Sequence, residues 1–181
     1  MHALLFLALI PSAPAPLETP KNLEKFQGIW KSTGFPFTRP SGFPLGTPRA
    51  TMKASRGSYV LVIVGDAYVF GYNAGTFRSL HAGTIKVDPL TKTVDLVIKA
   101  GPDKGGTLPG LFDLSENTLK LALPNSSLVR DGKTTNRPAT LQPGPETRHL
   151  LYTFLRDTTV SKEQAKVKLK EMRKAAGSDE E

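Results

Sequence analysis

The feature that most constrains this chain is a series of short apolar segments separated by turn residues. Each segment alternates apolar and polar residues or is apolar throughout, as β-strands do. Gly65-Asp66 joins two of the segments as a tight hairpin turn. Short strands at this spacing predict an all-β antiparallel meander that closes into a barrel, because closure leaves no open edge. The predicted strands are Ile29–Thr33, Ala50–Ala54, Tyr59–Val64, Ala67–Tyr72, Ser79–Val87, Thr93–Lys99, Leu108–Leu114, Thr118–Leu123 and His149–Arg156.

Helical patterns flank the predicted barrel on both sides. Lys21–Gln27 has the apolar spacing of a single helical turn. Residues 160–181 are mostly helix formers of mixed charge, with a few apolar residues on one side: Ala165, Leu169 and Met172. The prediction is a charged tail that is helical or disordered. A loosely attached or partly frayed helix is favoured over a helix that binds a partner. The barrel domain is predicted over residues 21–159.

The N-terminal residues have the pattern of an export signal. Ala3–Ile10 is an apolar run too short to span a bilayer, so no membrane span is predicted. Ala13-Pro14-Ala15 follows it as an A-x-A-like cleavage site. We therefore predict a signal peptide over residues 1–15 and a periplasmic or extracellular protein. The alternative is an apolar leader that is retained.

Composition excludes several kinds of site. The 181 residues include no cysteine, which rules out disulfides, thiolate metal sites and a cysteine nucleophile. The net charge is +8, but the basic residues are scattered along the chain and do not form one block. A nucleic-acid footprint usually clusters on one face with motif support. The charge therefore indicates a solvated basic surface, and no nucleic-acid partner is predicted.

The only tryptophan lies in the sequence Gly28-Ile29-Trp30, directly after the predicted helical turn. This arrangement resembles the G-x-W signature of lipocalins. In that fold the tryptophan closes one end of an eight-stranded up-and-down barrel, and a basic residue from the last strand packs over its ring. Arg156 ends the last predicted strand and matches that position. The resemblance therefore implies a lipocalin-like barrel closed by Gly28, Trp30 and Arg156.

A closer resemblance covers roughly Asn22–Arg156. Three stretches are similar to a lipocalin-like domain family of unknown function. They are LEKFQGIWKS (Leu23–Ser32), the long stretch from IKVDPLTKT to NTLKLAL (Ile85–Leu123) and NRPATLQ (Asn136–Gln142). That family is abundant in exported proteins of planctomycete bacteria. Relatives often carry cysteine where this chain has Ala122. The resemblance implies a fold and an export habit, and it implies no reaction.

No residue pattern in the chain is specific for catalysis or metal binding. His81 and His149 could pair with Asp66, Asp88 or Glu146, but their spacing is not a ligand motif, and both are expected to face solvent. No nucleophile-elbow pattern surrounds any serine. Gly101–Gly106 lacks the spacing of a phosphate loop and is interpreted as a hairpin loop. We therefore predict that the protein is not an enzyme and has no cofactor or metal.

Aromatic residues on the predicted strands are the remaining candidates. They either complete a filled core, since a small eight-stranded barrel has little free interior, or line a cavity for an apolar ligand. The candidates for the barrel lumen are Tyr59, Tyr68, Phe70, Tyr72, Phe112, Tyr152 and Phe154.

Two classes of function fit these patterns. The first is an exported binding module that holds a small lipophilic molecule in its lumen. The second is a structural or interaction barrel with a filled core. Its Gly34–Pro48 loop, its long loop Pro124–Thr147 and its basic face would contact protein partners in the cell envelope.

Overall fold

The computed structural model describes residues 21–33, 57–124, 136–142 and 149–177. Within these ranges the chain forms an N-terminal 3₁₀ helix, eight strands and a C-terminal helix. The predicted strand Ala50–Ala54 lies outside the described residues. The elements are the 3₁₀ helix Lys21–Phe26, β1 Gly28–Ser32, β2 Ser58–Val64, β3 Ala67–Asn73, β4 Phe77–Asp88, β5 Thr93–Ala100, β6 Thr107–Leu114, β7 Thr118–Pro124, β8 His149–Arg156 and α1 Lys162–Ala175.

The eight strands form one closed antiparallel barrel in chain order. Each strand pairs with the next, and β1 closes the barrel by pairing with β8, where Trp30 is the Cα partner of Arg156. This confirms the predicted all-β, eight-stranded up-and-down barrel with helical segments at both ends. Each of these eight strands therefore has a neighbour on both sides, so none of them is an unpaired edge strand.

Local residue chemistry accounts for the tight turns. Gly65 has a φ of 62°, the left-handed conformation that a two-residue hairpin requires and that glycine adopts without strain. In the turn between β4 and β5, the backbone N–H of Leu90 donates to Asp88 Oδ1 at 2.9 Å. This side-chain contact helps to hold the turn. The hairpin predicted from Gly65-Asp66 is therefore present, and residues 89–92 form a second one between β4 and β5.

The barrel interior is a continuous apolar core built from alternate strand positions. β2 contributes Leu61 and Ile63, and β5 contributes Val94, Leu96 and Ile98, all nearly inaccessible to solvent. Leu23 and Phe26 of the 3₁₀ helix join the same core at the end where Trp30 lies. This end is called the closed end below. The other end, where β2 and β4 begin and β3 ends, is called the rim.

The C-terminal helix is docked on the outside of the barrel, so the prediction of a loosely attached tail was wrong. Its buried face, made by Ala165, Leu169 and Met172, packs on outward-facing side chains of the strands, including Ile29, Val60, Val62, Val69 and Ala82. The segment Tyr59–Val64 is apolar on both faces, and its outer face needs this cover. The three buried apolar residues of α1 are sufficient because the opposing surface is itself apolar.

The start of α1 is fixed by a capping box. The backbone N–H of Gln164 donates to Ser161 Oγ at 3.2 Å, and the backbone N–H of Ser161 donates to Gln164 Oε1 at 2.8 Å. The pair satisfies donors that the first helical turn leaves without partners. Helix formation near residue 161 is therefore encoded locally, and the apolar face then determines where the helix docks.

None of the helices in the described part of the chain is long and apolar enough to cross a membrane.

Candidate functional site

The closed end is sealed by the residues of the G-x-W sequence and the last strand. Trp30 is fully buried, and its Nε1–H donates to the carbonyl of Phe26 at 2.8 Å. The guanidinium of Arg156 lies 4.2 Å from the centroid of the indole ring. Its two terminal nitrogens donate to the carbonyls of Gln27 and Lys25, each at 2.5 Å. These contacts cover Trp30 at the closed end.

Gly28 is required at this seal for a conformational reason. Its φ of 123° is one that side chains rarely adopt, and a Cβ there would lie 3.5 Å from Arg156 Nη1. The structure thus brings Gly28, Trp30 and Arg156 together, in the arrangement that the lipocalin resemblance implied. Their shared role is to connect the 3₁₀ helix to β1 and β8.

The middle of the lumen is filled by aromatic rings. The ring centroid of Phe70 lies 5.3 Å from that of Tyr152 and 6.3 Å from that of Phe154, and the last two rings stack at 5.9 Å. All three side chains are at most 7 % exposed. Rings at these separations are in direct contact. The three residues therefore form core between the closed end and the rim.

One polar pair is embedded in this aromatic core. A hydrogen bond of 3.0 Å joins Tyr68 Oη and His81 Nδ1, and the imidazole stacks on Phe70 at 5.0 Å. Burial lowers the pKa of His81 to about 4 and raises the pKa of Tyr68. Both groups are consequently neutral at pH 7. At this depth the lumen therefore contains hydrogen-bonding groups that carry no charge.

The expectation that both strand histidines face solvent was wrong. His81 is 3 % exposed because it is the Cα partner of Phe70 on the inner face. His149 is 4 % exposed at the start of β8, and burial lowers its pKa, partly offset by a hydrogen bond to the carbonyl of Gln142. Among the described residues, which include Asp66 and Asp88 but not Glu146, no three His, Asp or Glu side chains form a group that could hold a metal ion.

The rim is where aromatic side chains reach solvent. Tyr59 and Tyr72 are half-buried Cα partners, with ring centroids 5.3 Å apart. Tyr59 also stacks on Phe70 at 5.6 Å and meets Tyr152 edge-on at 5.2 Å. Desolvation, followed by the nearby Tyr72 phenol, raises the pKa of Tyr59. The rim thus presents two half-buried tyrosines directly above the buried aromatic core.

The seven lumen candidates do not share one surface. Phe112 lies at the closed end, where its ring meets that of Phe26 edge-on at 4.9 Å. Phe154 and Tyr68 are fully buried. Tyr59 and Tyr72 alone among the seven keep appreciable exposure. The sequence interpretation did not include Arg78, which is the Cα partner of Tyr72 at the rim.

A surface cleft of about 370 Å³ lies outside the barrel, between the 3₁₀ helix, the Gly65 turn and the first turn of α1. Its charged lining residues alternate in sign: Glu24, Lys162, Glu163 and Lys166. This mixed lining selects neither an anion nor a cation. A second cleft, of about 480 Å³ beside Arg156 at the closed end, also has charged lining residues of both signs, including Glu24, Lys25 and Glu116. The rim is therefore the better candidate for a functional site.

Comparison with known proteins adds no relative: no protein-family model, curated protein or solved structure matches the chain. What the barrel does must therefore follow from its own side chains. The geometry gives a sealed closed end, an aromatic core and an accessible pair of tyrosines at the rim.

Proposed function

We propose that the protein is a binding module whose barrel holds a small apolar or aromatic molecule at the rim. The observation that supports this most is the half-buried pair Tyr59 and Tyr72, which lies on a buried aromatic layer. Aromatic walls with a few polar groups are typical of small-molecule sites, and the phenols would orient the ligand. The bound molecule would stack on the two rings and extend their aromatic layer outward.

The proposal places the ligand at the rim and not deep in the lumen. Phe70, Tyr152 and Phe154 occupy the middle of the barrel, and Trp30 with Arg156 seals the far end. A ligand that entered fully would have to displace these rings. Binding at the rim requires no such rearrangement, and the buried layer then acts as a rigid floor.

The second candidate function is a structural or protein-interaction barrel in the cell envelope. The filled lumen favours it, because a barrel whose interior is core can serve as a scaffold for its loops. In this case Tyr59 and Tyr72 would complete the core and would have no role in recognition. The two candidates differ in whether the rim binds a small molecule saturably.

We further propose that the protein acts without catalysis, is exported and belongs to the lipocalin-like family that it resembles. Support for the first is burial, which lowers the pKa of His81 to about 4 and raises that of Tyr68, so that the imidazole is a weak base and the phenol a weak acid. Support for export is the apolar run Ala3–Ile10 with the Ala13-Pro14-Ala15 sequence. Support for the family is LEKFQGIWKS on a barrel of the matching strand number. N-terminal sequencing of the protein from its host would test export, since an intact Met1 would contradict it.

The binding proposal is tested by titration with the neutral aromatic dye N-phenyl-naphthylamine. We expect saturable, one-to-one binding and a melting temperature that rises with dye concentration, because the site exists only in the folded barrel. Tyr72→Leu should weaken binding while the variant stays folded, since Tyr72 is half-buried and Leu retains an apolar side chain at the rim.

A matched control separates the site from general surface adhesion. Leu90 is 95 % exposed on the turn at the closed end, so Leu90→Ala removes an accessible apolar side chain far from the rim. We expect the dye affinity of this variant to equal that of the wild type. Absence of saturable binding, or equal losses in Tyr72→Leu and Leu90→Ala, would refute the binding proposal and favour the interaction barrel.

A further inference from the structure

A β-bulge in β4 determines which side chains face the rim. Phe70 of β3 is the Cα partner of His81, but the next residue, Gly71, pairs with Ser79, so Leu80 is an extra residue in β4. Because of the extra residue, side chains on the far side of such a bulge point to the face opposite to the one that simple alternation predicts. Without the extra residue, Arg78 would pair with Asn73 on the outer face. With it, Arg78 pairs with Tyr72.

The packing of the neighbouring residue confirms this assignment of faces. Phe77 packs with the outer-face cluster beneath α1. It occupies the space beside Gly71, where an added Cβ would lie 2.1 Å from the Phe77 ring. Phe77 is therefore on the outside, and Arg78, one residue further along the strand, is on the inner face. Bulges often re-aim a side chain in this way next to functional sites.

The bulge thus places a cation in line with the two rim tyrosines. Tyr59, Tyr72 and Arg78 are consecutive Cα partners across β2, β3 and β4, and directly paired residues share a face of the sheet. Arg78 is exposed, and no carboxylate of the described residues forms an ion pair with it. The guanidinium therefore has donors available for a ligand.

Among the described residues, the rest of the interior offers no alternative partner for a charged group. Tyr68 and His81 are neutral at pH 7, and the Arg156 guanidinium is engaged by two backbone carbonyls at the sealed end. An anionic group on a bound molecule would be stabilised at Arg78 and would be unfavourable deeper in the barrel, where it would lose its hydration without compensation.

We infer that the ligand class is an amphipathic anion, with an aromatic or apolar body on Tyr59 and Tyr72 and a carboxylate or sulfonate paired with Arg78. This inference rests on the proposed binding function and specifies its ligand. The planar guanidinium fork matches the two oxygens of such a group and holds it in one orientation. Arg78 therefore sets specificity, and the tyrosines supply the apolar contact.

Two dyes that share the same aromatic rings test the inference. N-phenyl-naphthylamine is neutral, and anilinonaphthalene sulfonate carries one sulfonate on the same framework. We expect wild-type protein to bind the sulfonated dye more tightly, with an affinity that falls as salt is added. Arg78→Gln should weaken the sulfonated dye about tenfold, the scale of one charge-assisted contact, and leave the neutral dye unchanged.

The control for general electrostatic attraction is Lys86→Gln. Lys86 is an exposed cation on the same strand, but it lies on the outer face towards the closed end, so we expect no change for either dye. Thermal unfolding and circular dichroism of each variant report whether the fold is intact. Since Arg78 is exposed and has no ion-pair partner in the described chain, its replacement should leave the melting temperature unchanged.

The outcomes separate the two proposals. If neither dye binds saturably to the wild type, the binding function itself fails. If both dyes bind but Arg78→Gln leaves the ratio of their affinities unchanged, or changes it no more than Lys86→Gln does, the inference is overturned and the binding function stands. A selective loss of the sulfonated dye in Arg78→Gln supports the inference.

Discussion

His81 should make the stability of this barrel depend on pH between about 4 and 6.5. Burial lowers the pKa of His81 from its ordinary value of 6.5 to about 4. Below pH 6.5 the unfolded chain binds a proton at this residue, and the folded barrel excludes it until the pH approaches 4. Protonation therefore favours the unfolded chain, so the contribution of neutral His81 is complete above pH 6.5 and is lost as the pH falls through this window.

The size of the effect follows from those two values. The full difference between the pKa of His81 in the unfolded chain and in the folded barrel corresponds to about 3 kcal/mol of unfolding free energy. About 2 kcal/mol of this is lost between pH 7 and pH 5. A loss of that size is a substantial part of the stability of an ordinary domain. Urea unfolding monitored by the fluorescence of the single tryptophan, at each pH, measures it directly.

The matched variant for this measurement is His81→Gln, which does not titrate and can still accept a hydrogen bond from Tyr68. The wild type should lose about 2 kcal/mol more than this variant between pH 7 and pH 5. His149→Gln is measured in parallel, because burial also lowers the pKa of His149. Equal pH dependence in the wild type and His81→Gln, or an imidazole resonance of His81 in wild-type protein that titrates near its ordinary pKa, would refute the reasoning.

Two further predictions concern the helix and the closed end. Leu169→Ala should destabilise the fold by roughly 2–3 kcal/mol because Leu169 is 8 % exposed under α1. Val167→Ala should change stability little, since Val167 is 61 % exposed on the same helix, and equal effects on the urea midpoint would contradict the docked helix. Trp30→Ala should cost roughly 3–5 kcal/mol. Arg156→Ala should cost less but shift tryptophan emission to longer wavelength, and an emission already typical of solvated indole in the wild type would disprove burial of Trp30.

The barrel could be predicted from sequence because its signals are local. Gly65-Asp66 reports a hairpin through its own backbone preference, and Val94, Leu96 and Ile98 show their shared face through alternation. Such patterns depend only on residues close together in the chain, so the strands and their order can be predicted from the sequence. The joining of Arg156 to Trp30 is not local, and it was anticipated through resemblance to lipocalins.

The rim and the helix could not be predicted because they depend on contacts between distant segments. Alternation along β4 gives the wrong face for Arg78, since Leu80 is an extra residue between the pairs Phe70–His81 and Gly71–Ser79. The docking of α1 was underestimated because Leu169 and Met172 look sparse until the apolar outer surface of β2 is known. Burial of His81 followed from its pairing with Phe70, which also lies beyond the reach of local pattern.

The order of the strands has a consequence for synthesis on the ribosome. Each strand from β2 to β7 can pair with the one made just before it, so most of the sheet can form as the chain emerges. The seam between β1 and β8 is different: Arg156 binds the carbonyl of Gln27, 129 residues earlier. Until translation reaches β8, β1 and β7 remain open edges able to pair with other nascent chains. Pairing of β8 with β1 and β7 is therefore the step that protects the chain from aggregation.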